Sequence, residues 1–222
     1  MPVTVDQEFD RQLETLLKLD YPSLTGRDEA ALVDQVEPLR SSVRHLLDDA
    51  DAAPTPSRVP FVIVVGPRLA AAETLVPLLR LRGRTLPGVV DRNHDGPLSA
   101  FEPIPEVELP ASDVYALVDV ERGEEFCGVR PQEALPEILG RRRTPLTTHE
   151  GIALVTHAPE TLEKNRCFML SGSRRGDRRV PALWISGRQP KLGWCWDGNP
   201  HTWLGVASTS HRVGALLTSR TT

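Results

Sequence analysis

Three groups of side chains in this sequence have types and spacings that could support chemistry. The first is a thiol close to imidazoles, Cys195 with His201 or His211, and with Asp197 or Asn199 as a third member. Nucleophilic catalysis needs a base within hydrogen-bonding reach and a group that orients the base. Cys195 stands between Trp194 and Trp196, so on a strand its side chain points away from theirs. A free cysteine there reads as packing before it reads as a nucleophile. His201, inside Asn199-Pro200-His201-Thr202-Trp203, lies on a proline turn that suits a ligand or general-base role, or an internal hydrogen bond.

The second group is larger. Trp184, Trp194, Trp196 and Trp203 are all the tryptophans of the chain, and Arg174, Arg175, Arg178 and Arg179 precede them closely. Trp194 and Trp196 share one face of a strand, and an arginine fork beside an aromatic platform suits a phosphate, a carboxylate or a nucleobase. The same residues could instead stack on one another and close a small sheet, or form an oligomer interface. Pocket, core and interface all remain open at this level.

The third group runs from Asp91 to Glu102. Asp91, Asn93, Asp95 and Glu102 fall at calcium-ligand positions of a helix-loop-helix site, with Gly96 at the turn. Pro97, Pro103 and Pro105 oppose the helix such a site needs, and no second loop pairs with it. An Asx-rich turn is the expectation, and no metal is favoured.

Several classes are excluded. The turn after the first apolar strand, Val65-Gly66-Pro67-Arg68, lacks the further glycines and the lysine of phosphate-cradling loops. With 30 acidic against 26 basic residues and a net charge of -4, a broad basic field for nucleic acid is not expected. Cys127, Cys167 and Cys195 are widely spaced, so free thiols are expected rather than disulfides or structural zinc. The apolar run at 61–65 is too short for a membrane span, and the chain does not open on a leader-like segment. A cytoplasmic protein is expected, and no cofactor is required.

The elements that must position these groups follow from spacing. Residues 1–52 predict a helical pair. Thr4 and Gln7 form a capping box before Phe9, Leu13, Leu16 and Leu17, and a second stripe runs Leu32, Val36, Leu39, Val43 and Leu46, interrupted by Pro38. The region holds twelve acidic against five basic residues, which reads as a solvated face, with docking onto the basic segment as the sharper alternative. Residues 53–60 form a proline-rich linker. A buried strand at 59–65, a helix at 70–81 and a strand at 88–90 suggest a right-handed β-α-β unit.

Further strands are expected at 107–109, 114–120 and 126–129, the last two as a hairpin, and helices at 131–139 and 148–157, the latter capped by Thr147 and Glu150. Strands at 167–170, 180–186 and 191–196 then form an antiparallel, Trp-rich sheet. The main domain spans 61–212 and a tail 213–222.

The runs GRRRTPLTTHEGIALVTHAPETLEKNRCFML and GSRRGDRRVPALWISGRQPKLGWCWDGNPHTWLG resemble an actinobacterial family of uncharacterised proteins, defined as a domain of unknown function. The resemblance covers about 58–212, most specifically 143–205, and leaves 1–51 outside. It implies no activity, cofactor or catalytic residue, and implies that 91–102 is not a recurrent metal loop. The arginine-rich composition agrees with it.

The expectation is an α+β fold, the helical pair packed on a mixed sheet with the Trp-rich antiparallel portion late in the chain. The expected function is a binding or accessory role. Its pocket, within 171–205, would take a small anionic or planar ligand through Arg174, Arg175, Arg178, Arg179, Trp184, Trp194, Trp196, His201 and Trp203. An enzyme using Cys195 or His201 is the alternative.

Overall fold

Thr4 and Gln7 start the first helix by exchanging hydrogen bonds. Gln7 N–H donates to Thr4 Oγ1 (3.2 Å) and Thr4 N–H to Gln7 Oε1 (3.0 Å), which satisfies donors that a first turn leaves orphaned. The structure, a computed structural model, describes residues 2–48, 51–91 and 96–215. Helix α1 (Val5–Lys18) packs on α2 (Tyr21–Leu24), α3 (Glu29–Val36) and α4 (Leu39–Leu47). Pro38 caps α4 and splits the second stripe into two helices, because it has no N–H to continue the α3 ladder. Leu32, Val36, Leu39 and Val43 are fully buried, whereas Leu46 is exposed. The acidic face is answered locally: Arg40 binds Asp10 (2.6 Å) and Glu37 (2.7 Å), and Arg44 binds Asp6.

The chain continues as β1 (Arg58–Val65), α5 (Ala72–Leu75), β2 (Val89–Val90), β3 (Glu102–Pro103), β4 (Val114–Glu121), α6 (Pro131–Gly140), β5 (Thr144–Pro145) and α7 (Thr148–His157). Then come β6 (Cys167–Met169), β7 (Ser173–Arg174), β8 (Arg179–Ser186), β9 (Gln189–Trp196), β10 (Leu204–Val206) and β11 (Ser208–Val213). One sheet has the order β1-β4-β11-β5 and is antiparallel throughout. The second, β10-β6-β8-β9-β2, is antiparallel in its centre and parallel at both ends. β3 and β7 form a two-stranded ribbon. The fold is α+β.

Helix α7 joins the two sheets, touching β1 on one side and β8 on the other. A helix in that position must be apolar nearly all round, and eight of its ten residues are buried. Gly151 lets it approach β6 closely, since a Cβ there would stand 2.2 Å from Leu170 Cδ2. Val5 and Phe9 of α1 share a single apolar cluster with Val62, Leu154 and Leu183.

β1 has neighbour β4 on one edge only, and buried side chains cover the other. Gln12 of α1 donates to Phe61 O (2.9 Å) and accepts from Ile63 N–H (2.9 Å), as a strand neighbour would. His157 Nε2 lies 3.0 Å from Ile63 O. The exposed backbone edge is thereby closed to other strands.

Four expectations are corrected. No β-α-β unit forms: β1 and β2 belong to different sheets. The helix expected at 70–81 ends after α5 in a 3₁₀ turn through Val76–Leu78, where Pro77 cannot donate. Gly88 then returns tightly against it, donating from its N–H to Leu79 O (2.9 Å). Neither 107–109 nor 126–129 is a strand, because β4 is already paired by β1 and β11 on its two edges. Beyond Arg212, Val213 still pairs with Ala116, and Ser42 Oγ donates to Gly214 O (3.1 Å). The rest of the expected tail, from 216, lies outside the described residues. No helix among the described residues is long and apolar enough to cross a membrane.

Candidate functional site

The tryptophan segment folds as the hairpin β8–β9, turned by Gly187 and Arg188, both at positive φ (62° and 63°) as a two-residue turn of this hand requires. Alternation on β9 puts Trp194 and Trp196 on one face, across from Pro181 and Arg179. Their rings meet edge to face, with centroids 5.0 Å apart. Trp184, on β8, faces the other way. It lies over Gly193, where a Cβ would stand 2.3 Å from its Cη2, and meets Trp203 edge to face at 6.4 Å. The four rings are therefore two pairs on opposite sides of the hairpin.

The arginines are largely engaged within the molecule. Arg174 donates to Ser171 O (2.7 Å) and to Asp197 Oδ1 (3.0 Å), and burial pulls its pKa below the ordinary range. Arg179 binds Asp177 (2.6 Å) and lies over the Trp194 ring at 5.2 Å. Arg178 donates to Gln132 Oε1 (3.0 Å), and Arg175 packs its guanidinium against Gly96. These contacts hold the loop 175–178 against the body of the protein. Trp194 and Trp196, with Arg179 over Trp194, lie on the opposite face of the hairpin from Trp184 and Trp203.

The thiol and imidazole candidates are likewise separate. Cys195 is buried on the core face of β9, donates to Met169 Sδ (3.3 Å), and has its pKa pushed up by burial to about 12. The nearby charges acting on it are Arg174 and Asp197, not an imidazole. Asp197 is itself taken by Arg174. His211 sits on β11 with Nδ1 3.0 Å from Ser210 Oγ. His201 stacks edge to face on Trp203 at 5.6 Å, and its Nε2 is buried without a partner among the described residues. Burial lowers its pKa below that of a free imidazole.

Of the calcium pattern, Asn93 and Asp95 lie outside the described residues. Asp91 pairs with Lys191 (3.4 Å), and Glu102 enters β3 rather than a helix.

What the hairpin does build is a hollow of about 350 Å³ on the Trp184 side. Trp184 and Trp203 wall it, Ile185 and Cys167 lie between, and Lys164, Asn165 and Ser186 bring polar groups. Cys167 donates to Glu163 O (3.3 Å), and burial pushes its pKa up to about 11. Lys164 is exposed and supplies the positive charge. Sequence reasoning missed it because it precedes the segment and carries no motif. A wider depression beside Asp6, Arg44 and Asp51 has no aromatic wall.

A family model described as "Family of unknown function (DUF5701)" matches residues 15–215. The chain belongs to this family. The DUF5701 match begins inside α1, so it takes in helices that the resemblance read from sequence left outside. Neither the curated proteins nor the solved structures contain a match to this DUF5701 chain.

Proposed function

We propose that the protein binds a small, planar, anionic molecule in the hollow walled by Trp184 and Trp203, with Lys164 answering its charge. The observation that carries this reading is the pair of indoles meeting at 6.4 Å on the wall of one concavity that also contains an exposed lysine. A flat ring entering there finds apolar faces, and a carboxylate or phosphate on its edge finds an ammonium, the combination that orients a small ligand. Arg174 and Arg179 act instead as braces of the neighbouring loop. The enzyme alternative is less favoured at Cys195, which is buried, hydrogen-bonds to Met169 Sδ rather than to an imidazole, and has its pKa raised by burial. Three free thiols suit a reducing compartment, and we place the protein in the cytoplasm on that basis.

The test uses tryptophan fluorescence in a Trp196→Phe background, because Trp196 is 46% exposed and would respond to any solute. Aromatic carboxylates and nucleoside monophosphates should quench saturably. Trp203→Phe should weaken the quench, and Lys164→Ala should weaken binding of the anion about tenfold while sparing a neutral isostere. Silence across such a panel would sink the reading.

A further inference from the structure

We propose that a second cleft, between α5, the first turn of α7 and the β3–β7 ribbon, is a binding site for a small organic cation: an amine or amidine on an apolar body. The cleft measures about 270 Å³, at the small end for ligand sites, which suits a single ring rather than a nucleotide. Leu98, Phe101 and Leu109 give it apolar walls.

Its polar lining is biased toward acceptors. Glu73, the second residue of α5, accepts from Leu98 N–H (2.7 Å), which ties the 3₁₀ turn Leu98–Ala100 to the helix and fixes one wall. Its other oxygen accepts no hydrogen bond among the described residues. Glu102, opposite Arg174 in the β3–β7 register, also lines the cleft, while the Arg174 guanidinium is hydrogen-bonded to Asp197. Among the described residues no lysine or arginine lines the cleft, and the adjacent Arg68 is occupied by Asp113 (2.5 Å) and Ala111 O (2.6 Å).

His149 completes the set. Its Nε2 lies 3.1 Å from Ala70 O, and a carbonyl can only accept, so Nε2 carries the proton and Nδ1 presents a lone pair. Burial lowers its pKa, against the opposing pull of the Ala70 hydrogen bond, Glu150 and Glu73. Two carboxylates and a fixed imidazole acceptor at one apolar cleft fit an N–H-rich positive group, through charge-assisted hydrogen bonds. An anion would meet two like charges.

Calorimetric titration of the full chain with benzylamine, benzyl alcohol and benzoate tests this, because the three share a ring and differ in charge. Benzylamine should bind about tenfold more tightly than benzyl alcohol, and benzoate should give no saturable heat. The preference should largely vanish in Glu73→Gln/Glu102→Gln, which keeps the Leu98 acceptor and whose positions are exposed, so melting should be unchanged. His149→Phe should weaken the amine without admitting the acid. Equal binding of alcohol and amine, binding of benzoate, or no heat with benzylamine would overturn the proposal. So would amine binding lost in Trp203→Phe, which would assign it to the indole hollow.

Discussion

Glu150→Gln removes one charge and one acceptor from the carboxylate with the most hydrogen bonds among the described residues. Glu150 is fully buried, and four groups donate to it. Arg212 does so through Nε to Oε1 (2.6 Å) and Nη2 to Oε2 (2.7 Å), Thr147 through its backbone N–H (2.7 Å) and Tyr115 through its hydroxyl (3.0 Å). The Tyr115 phenol is held well above its ordinary pKa by burial and by this carboxylate, so it remains a donor. Glutamine keeps the shape but turns an –NH₂ toward donors that need an oxygen. Arg212, with 5% of its side chain exposed, then has no counter-charge at Glu150.

Breaking a buried pair from one side costs about 3–5 kcal/mol. At ~2–4 °C per kcal/mol for a chain of this size, melting should fall by roughly 6–20 °C. Arg212→Met should cost a similar amount by stranding the carboxylate. In the double variant the two losses are largely the same loss, so it should be less harmful than the sum of the singles by about 2–4 kcal/mol. Urea unfolding followed by far-ultraviolet circular dichroism measures all three, with the midpoint moving at unchanged slope. A Glu150→Gln cost below about 1 kcal/mol, or additivity within ~0.5 kcal/mol, would refute the view that this pair pins α7 to the first sheet.

Two further outcomes follow from buried groups. His157 is held neutral by burial and by Arg11, with its pKa lowered to about 3; the unfolded chain therefore binds the extra proton between pH 6.5 and about 3. Its contribution is complete above 6.5 and is lost as pH falls, at up to about 1.4 kcal/mol per pH unit, so His157→Gln should flatten the decline of melting temperature between pH 7 and pH 4. An identical decline in the variant would exclude His157 as its source. Among the thiols, half-buried Cys127 should be alkylated well before buried Cys167 and Cys195 in the native state, and all three should react in denaturant. Mass spectrometry finding Cys195 modified first would restore the nucleophile reading.

The legible parts of the fold are those fixed by neighbours in sequence. Both capping boxes, the break at Pro38, and the β8–β9 hairpin with Cys195 opposed to Trp194 and Trp196 depend on spacings within a few residues, and all are present. Strand partnership is a different matter. β1 and β2 looked consecutive, yet each bonds to a strand distant in sequence, and nothing local encodes that choice. β11 was missed because Ser-Thr-Ser-His-Arg-Val has no apolar alternation. It lies between β4 and β5 on polar contacts: Thr209 Oγ1 donates to Val118 O (2.8 Å), Arg143 donates to Ser208 Oγ (3.0 Å), and Arg212 binds Glu150. An interior strand held by hydrogen bonds reads as a loop when hydrophobicity is the only signal.

The same limit explains the candidate site. A cluster of arginines advertises charge, but only the fold shows whether that charge is already answered. Asp177, Asp197 and Gln132 answer Arg179, Arg174 and Arg178, and two of those partners sit in the same segment as unremarkable turn residues. The groups left to meet a ligand are quieter in sequence: Lys164 ahead of the tryptophan segment, and Glu73, Glu102 and His149 spread over three separate elements. Paired charge at the surface adds little binding, whereas acceptors gathered at an apolar cleft must find donors or remain wet. Density of a residue type thus marks a loop braced within the molecule, and the convergence of dispersed residues is what carries the proposed sites.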